Sequence, residues 1–197
     1  MRHILRILPV LFLFLVTLPA QADELSLAGQ LLVATKKIGD PRFAKTVIFM
    51  VSHDQKGAFG LVVNRVFGAG PMEEFLKGFD IDPGKIKGDI RLHYGGPVSP
   101  GVGFFLHTSD FKEDATTLVG STMAMTTGTS VLKAIAEGHG PRNSLFALGY
   151  AGWSAGQLEG EIERGDWFSA PASEELIFGE DVEGIWDRAS GAAGLKL

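Results

Sequence analysis

Four polar side chains fall at the ends of predicted strands, where such groups commonly collect around a cleft and could carry acid–base chemistry, or satisfy buried backbone groups. They are His53, Asn64, Arg65 and His107. A histidine changes its charge near physiological pH, so His53, which lies beside Asp54, could carry a proton. It could equally be a structural side chain that bonds a backbone carbonyl. These four residues define one hypothesis, an enzyme whose reaction is unknown.

A second group of candidates surrounds a predicted strand-to-helix turn. It contains two aromatic and two polar residues, namely Tyr150, Trp153, Gln157 and Glu159. Large rings beside hydrogen-bonding groups make a good recognition surface for a ligand or partner. They make an ordinary core with a polar rim equally well.

Gly95 and Gly96, which precede Pro97, complete the set of candidate binding residues. Glycines at this position permit a tight bend of the backbone. The same bend could align backbone N–H groups as a nest for a carboxylate or a phosphate.

The segment 152–156 matches the G-x-S-x-G pattern of a hydrolase nucleophile elbow. In hydrolases of that fold the histidine follows the serine in the chain, whereas here every histidine precedes Ser154. Ser154 and Gln157 have the spacing of a capping box, so we expect Ser154 to cap a helix. We therefore assign no catalytic residue, and an enzyme is the less favoured class.

The sequence gives no support to a metal or cofactor site. The chain has no cysteine, and no two of its histidines are spaced i, i+4. It contains no G-x-G-x-x-G, and the nearest approach to a phosphate loop, 78–85, is followed by Ile86 instead of serine or threonine. We expect neither a metal nor a cofactor.

The elements that must position these residues are clustered strands with a few helices between them. Strands are predicted at 29–35, 46–52, 59–64, 90–94, 103–107, 117–125 and 144–150, with a hairpin turn at 55–57. Helices are predicted at 71–79, 129–137, 154–163 and 180–189. This order favours an α+β fold with a mixed or antiparallel sheet over a regular βαβ alternation.

The charge distribution argues against a nucleic-acid partner. The 197 residues include 18 basic and 23 acidic side chains, a formal net charge of −5. Residues 159–188 hold ten acidic residues against Arg164 and Arg188, a local balance of −8. This surface would repel nucleic acid and could attract a basic partner segment, or it is simply a solvated acidic face.

Residues 1–22 have the pattern of an export signal. Arg2, His3 and Arg6 precede an apolar run at 7–18, and small residues at 20 and 22 mark a cleavage site. The apolar run is shorter than the roughly 20 residues that a membrane-spanning helix needs. We expect cleavage after Ala22, a periplasmic location, no stable membrane span, and a single domain at 23–197, which the mass of the mature chain would test.

Three blocks of this sequence closely resemble the bacterial YqgE/AlgH family. They comprise 31–34, 40–43, 46–48, His53 and 57–65; then 95–98 and 104–107; then 149–153, 156–159, Ile162 and 165–167. The resemblance implies a single α+β domain in which a bifurcated mixed sheet curls into a pseudo-barrel with peripheral helices. It implies no established activity and no cofactor, and part of the family is labelled as transcriptional regulators.

The chain departs from the family pattern in two ways. Family members are usually cytoplasmic and have no leader, and Val66 replaces the proline that commonly follows the Asn-Arg pair. The regulator hypothesis requires residence in the cytoplasm, because an exported protein does not meet the chromosome. The sequence therefore favours a non-catalytic binding or regulatory accessory protein. Its partner would be an unidentified protein or small ligand, bound near segments 95–98 and 149–159.

Overall fold

The computed structural model describes residues 26–193, so the expected leader at 1–22 lies outside the described residues. The described chain forms the strands β1 (Gln30–Ala34), β2 (Val47–Asp54), β3 (Gly57–Val62), β4 (Val66–Pro71), β5 (Asp89–Tyr94), β6 (Val98–Thr108), β7 (Thr116–Val119), β8 (Met123–Thr127), β9 (Ser144–Ser154) and β10 (Trp167–Pro171). Its helices are α1 (Met72–Lys77), α2 (Ser130–Ala136), α3 (Gln157–Glu163), α4 (Glu174–Phe178) and α5 (Ile185–Ala192). The predicted α+β class is confirmed.

The strands form one curled sheet that forks at β9. The main path runs β10-β1-β2-β3-β9-β6-β8-β7, and every neighbouring pair on it is antiparallel. Residues 151–154 of β9 pair with β3, whereas residues 146–148 pair in parallel with β5, which in turn pairs with β4. The bifurcated mixed sheet implied by the family resemblance is therefore present.

Both faces of the sheet are covered by helices. In β1 and β2, alternate side chains point to opposite faces, as the two-residue period of a strand requires. Leu31 and Phe49 belong to the cluster that includes α4 and α5, and Leu32 and Ile48 belong to the cluster that includes α3. A third cluster packs α1 and α2 against β6 and β9. The core of the domain is thus split by the sheet into layers.

A close backbone contact forms the fork. Gly95 and Gly96 connect β5 to β6 and lie directly against β9. A Cβ added to Gly95 would come well under 3.0 Å from the carbonyl oxygen of Gly149, and one added to Gly96 would overlap the backbone of Tyr150. Gly96 also has a φ of +151°, which side chains rarely tolerate. Glycine is required here because two backbones touch.

Hydrogen bonds of Gly95 link the branches of the fork. Its N–H donates to the carbonyl of Leu148 at 2.8 Å, and its carbonyl accepts the N–H of Val62 at 2.9 Å. Gly95 thereby joins β9 to the end of β3, and its polar groups are used inside the sheet. This arrangement favours the interpretation of the Gly-Gly segment as a bend over that as an anion nest.

Several predicted elements differ from the observed ones. The strand predicted at 117–125 is a hairpin of β7 and β8, because Gly120 adopts a left-handed conformation with φ of +64° and reverses the chain. The strand predicted at 144–150 continues to Ser154 as β9. Helix α3 begins only at Gln157, with Gly156 as its N-cap, so the predicted capping role of Ser154 is wrong. The last helix begins at Ile185 instead of residue 180.

Three short elements are absent from the sequence prediction. Strand β4 contains two glycines and a proline, which are poor strand formers, and it exists because it pairs with β5. Strand β10 and helix α4 are five residues each, too short for a periodic signal. No helix within residues 26–193 is long and apolar enough to cross a membrane.

His93 is a buried titratable side chain of β5. It is 4% exposed, and its Nδ1 has no hydrogen-bond partner among the described residues. Burial, assisted by the nearby positive charge of Arg91, lowers the pKa of His93 from 6.5 to about 4. The folded protein therefore holds this imidazole neutral.

We expect the Gly96→Ala variant to lose at least about 3 kcal/mol of unfolding free energy or to fail to fold, because its Cβ would overlap the Tyr150 backbone. Urea denaturation measures the loss. Gly101→Ala is the matched control, because Gly101 lies in β6, the strand that follows Gly96, and its added Cβ meets nothing within 4 Å. Similar stabilities of the two variants would contradict a fork that depends on backbone contact.

We expect the free energy of unfolding to fall as the pH drops from 6.5 to about 4, because the unfolded chain then binds a proton at His93 that the folded chain excludes. The shift corresponds to roughly 3 kcal/mol at most. His93→Gln cannot titrate and should show a shallower decline in urea denaturation across this range. His139→Gln, which removes an exposed histidine, should keep the wild-type slope; a full slope in His93→Gln would refute the assignment.

Candidate functional site

A cavity of ≈ 490 Å³ lies where the β1–β2 loop meets the end of β9, helix α3 and the start of β10. Of the predicted candidates, Trp153 and Gln157 line it, together with Pro97. We refer to it as the Trp153 cavity. Its volume lies within the range of about 300–1,000 Å³ that is typical of small-molecule sites. The cavity therefore joins the two sequence segments singled out above.

The wall of the Trp153 cavity is held by Glu161. One carboxylate oxygen, Oε2, accepts the indole N–H of both Trp153 and Trp167, each at 2.8 Å. The two rings meet edge to face with centroids 6.1 Å apart, and they are only 8% and 3% exposed. Hydrogen bonds to a charged acceptor are strong. This arrangement, the indole clamp, fixes both aromatic side chains relative to α3.

Gln157 extends the indole clamp to the end of β9. Its Nε2 donates to Oε1 of Glu161 at 3.0 Å, and its Oε1 accepts the backbone N–H and the hydroxyl of Ser154, both at 3.2 Å. The serine of the G-x-S-x-G pattern is therefore engaged with an amide, and no histidine is among its partners in the described chain. A serine nucleophile finds no support in this geometry.

His53 of β2 pairs with Glu159, which lies in the first turn of α3. The Nε2 of His53 lies 2.7 Å from Oε1 of Glu159, and its Nδ1 accepts the backbone N–H of Leu27 at 3.1 Å. Because Nδ1 accepts, the proton is assigned to Nε2, which donates it to the carboxylate. Hydrogen bonds from its own backbone N–H and from His53 lower the pKa of Glu159. The imidazole ring, only 6% exposed, thus ties the first described residues to α3.

Asn64 and Arg65 lie away from the Trp153 cavity. The Oδ1 of Asn64 accepts the N–H of Val47 and its Nδ2 donates to the carbonyl of Lys45, each at 2.8 Å, so Asn64 fastens the ends of β2 and β3. Arg65 donates to the carbonyl of Ala44 at 2.9 Å. Both also line a separate, more open groove beside β4.

His107 is fully buried at the other end of the sheet. Its Nδ1–H donates to the carbonyl of Thr108 at 2.8 Å, and its Nε2 accepts the hydroxyl of Thr126 at 2.9 Å. Burial lowers the pKa of His107, which keeps the ring neutral. It is a structural histidine bonded to a backbone carbonyl.

The four residues of the enzyme hypothesis do not meet. His107 pairs across from Ser144 at the start of β9, whereas His53 pairs with Ala58, which pairs with Trp153 near the end of β9. Nine residues of extended strand separate the two positions, a distance of about 30 Å. Tyr150 lies between them and packs on Phe59, with ring centroids 4.7 Å apart.

Sequence reasoning missed the central residue of the cavity, Glu161, and its second indole partner, Trp167. The spacing of Gln157 and Glu161 is one signal that could have indicated Glu161, because residues four apart share one face of a helix. Nothing local indicates that Trp167 returns beside Trp153. Within residues 26–193, no three histidine, aspartate or glutamate side chains are grouped so as to hold a metal ion.

We expect Glu161→Ala to lower the free energy of unfolding by roughly 2–6 kcal/mol, because two buried indole N–H groups lose their acceptor at about 1–3 kcal/mol each. Glu161→Gln keeps an accepting oxygen and should lose less. Urea denaturation measures both. Glu163→Ala, an exposed change on the same helix, should stay within about 0.5 kcal/mol of wild type. An equal loss in Glu163→Ala would argue against the indole clamp.

Comparison with known proteins identifies close relatives. A UPF0301 protein of Methylococcus capsulatus is 47% identical over 170 residues, which cover 86% of this chain and 93% of that protein. A UPF0301 protein of Rhodospirillum rubrum is 42% identical over 175 residues, 89% of this chain and 91% of that protein. Such identity over most of both chains extends the similarity well beyond the three sequence blocks.

Solved structures share the fold. The solution structure of the AlgH protein from Pseudomonas aeruginosa has a TM-score of 0.72 and 37% identity, covering 89% of this chain and 93% of that one. A Corynebacterium diphtheriae protein of 23% identity has a TM-score of 0.66, covers 82% of this chain and 84% of that one, and shows the fold alone. The sequence model of the AlgH-like family, DUF179, matches residues 31–197. With its strands forked at β9 and its sequence matched over nearly the whole domain, the chain belongs to the YqgE/AlgH family.

Proposed function

We propose that this protein is a non-catalytic accessory domain that binds a small ligand in the Trp153 cavity. The observation that carries the proposal is the cavity itself. Its volume of ≈ 490 Å³ suits a small molecule, and the indole clamp holds its wall in place through hydrogen bonds within the protein. A wall that is already ordered favours binding, because little conformational entropy is lost when the ligand enters.

Two observations favour ligand binding over the alternative functions. The candidate residues for an enzyme lie on β2, between β3 and β4, and on β6, and Asn64 and His107 have their hydrogen bonds satisfied within the domain. The acidic residues of 159–188 lie in and around α3, α4 and α5, where they would repel the phosphates of DNA. Export after cleavage at Ala22 stays a prediction from the sequence and is independent of the cavity.

The proposal predicts that small organic molecules bind beside the indole clamp. In a nitrogen–proton correlation spectrum of the full chain, saturable addition of hits from a library of water-soluble organic fragments should shift the indole N–H resonances of Trp153 and Trp167. The indole of Trp186 donates to the Ala34 carbonyl at 2.8 Å on the other face of the sheet. Its resonance should stay in place and serves as an internal reference.

A variant that narrows the cavity provides the control. Gly39 lines the cavity, and a Cβ added there meets nothing within 4 Å. Gly39→Phe should therefore fold and reduce fragment binding, whereas Gly101→Phe, equally open but outside the cavity, should leave binding unchanged. The absence of any fragment that shifts Trp153 and Trp167, or binding that is indifferent to Gly39→Phe, would overturn the proposal.

A further inference from the structure

We propose that the ligand of the Trp153 cavity is a small organic anion, with its charged group at Lys37 and an apolar or aromatic body against the loop. This inference rests on the proposed function and adds the chemical class of the ligand. It depends on which charges of the cavity lining are already matched within the protein and which are not.

The acidic side chains of the lining are all engaged. Asp40 accepts two hydrogen bonds from Arg42 Nε at 3.1 Å and one from its Nη2 at 2.7 Å, and the guanidinium lowers the pKa of this carboxyl. Asp166 pairs with Arg164 at 2.9 Å. Glu161 accepts three hydrogen bonds, from the two indoles of the clamp and from Gln157. A cationic ligand would have to share one of these carboxylates with the donors that it already binds.

Lys37 differs from the other basic side chains of the lining, Arg42 and Arg164, which both pair with an acidic group. It forms no salt bridge with any of residues 26–193. Its ammonium lies near Gly165, because a Cβ built on that glycine would be 4.0 Å from Nζ. The positive charge thus stands beside the Arg164–Asp166 pair at the cavity rim. A neutral ligand would form no ion pair with this ammonium.

Hydrogen bonds of Thr35 set the backbone position of Lys37. The hydroxyl of Thr35 donates to the Gly165 carbonyl at 2.6 Å and accepts the N–H of Lys37 at 3.0 Å. The N–H of Thr35 donates to the Asp166 carbonyl at 2.9 Å. These bonds fasten the backbone of the loop that carries Lys37 to the turn before β10, which places this lysine beside the cavity.

The rest of the lining suits an apolar body. Ile38, Phe43 and Pro97 contribute half-buried hydrophobic surface. Phe43 packs edge to face on Trp167 with centroids 5.6 Å apart, which continues the aromatic wall from the indole clamp. A ligand with one anionic group and a compact ring would match both halves of the cavity. The arginine pairs retain further N–H donors that could support a carboxylate or a phosphate.

The test compares small ligands that share a phenyl ring and carry different charges. Benzoate, phenyl phosphate, uncharged benzamide and cationic benzylamine are titrated into the full chain, and the indole N–H resonances of Trp153 and Trp167 are followed. We expect at least one of the two anions to bind about 5- to 10-fold more tightly than benzamide, and benzylamine to bind most weakly. The preference should shrink as salt is added, because the ammonium is partly exposed.

Two lysine variants distinguish the effect of the Lys37 charge on binding from the effect of any change in the same loop. Lys37→Gln should reduce the affinity for the anions to that of benzamide and leave benzamide binding unchanged. Lys36→Gln is the matched control, because Lys36 is the exposed neighbour in the same loop and does not line the cavity. Neither change removes a buried contact, so both variants should keep the wild-type spectrum.

The outcomes distinguish this inference from the proposed function. Equal binding of benzamide and the anions, or anion binding that Lys37→Gln leaves intact, would overturn the anion assignment while the cavity remains a ligand site. Failure of all four probes would overturn the anion assignment as well. The cavity itself would fall only if the fragment library also failed to shift Trp153 and Trp167.

Discussion

The backbone of Gly95 and Gly96 lies in close contact with strand β9. This contact allows two strands, β3 and β5, to pair along the same edge of β9. Strand β3 pairs with the end of β9 and β5 pairs with its beginning, and the connection from β5 to β6 must pass between them. There is no room for a Cβ at this crossing, since Gly149 and Tyr150 of β9 fill the space. The rest of the domain follows from this fork, including the end of β9 that carries Trp153 to the cavity.

Helix α3 is positioned by its contacts and not by its own stability. Seven residues are too few for a helix to persist alone in water. Leu158 is buried under the sheet, while Glu159 reaches His53 and Glu161 reaches the two indoles. Neighbouring acidic side chains thus reach different parts of the domain. Part of the acidity of the C-terminal third is therefore structural, because these carboxylates accept hydrogen bonds that hold the cavity wall.

The charges around the cavity have two different roles. Pairs such as Arg42 with Asp40 and Arg164 with Asp166 are local, two residues apart in sequence, and they shape the loop and the turn. Exposed pairs of this kind add little to stability. Lys37 stands among them without an acid from the described chain. In a family without an established activity, a cavity with an ordered aromatic wall and one unmatched ammonium gives a concrete chemistry to test.

The sequence alone determined the family, the α+β class, strands β1, β2 and β3 and the bend at Gly95, because branched apolar runs and glycines act through local backbone preferences. It also indicated the segments around Pro97 and Trp153 that line the cavity. It could not find β4, whose glycines and proline form a strand only through pairing with β5. Nor could it show that His53 and His107 lie at opposite ends of the sheet and belong to different sites. Only the tertiary structure placed Trp167 against Trp153 with Glu161 between them. That contact joins residues from three elements, and it depends on hydrogen bonds that compensate the burial of two indole N–H groups, which no local pattern reveals.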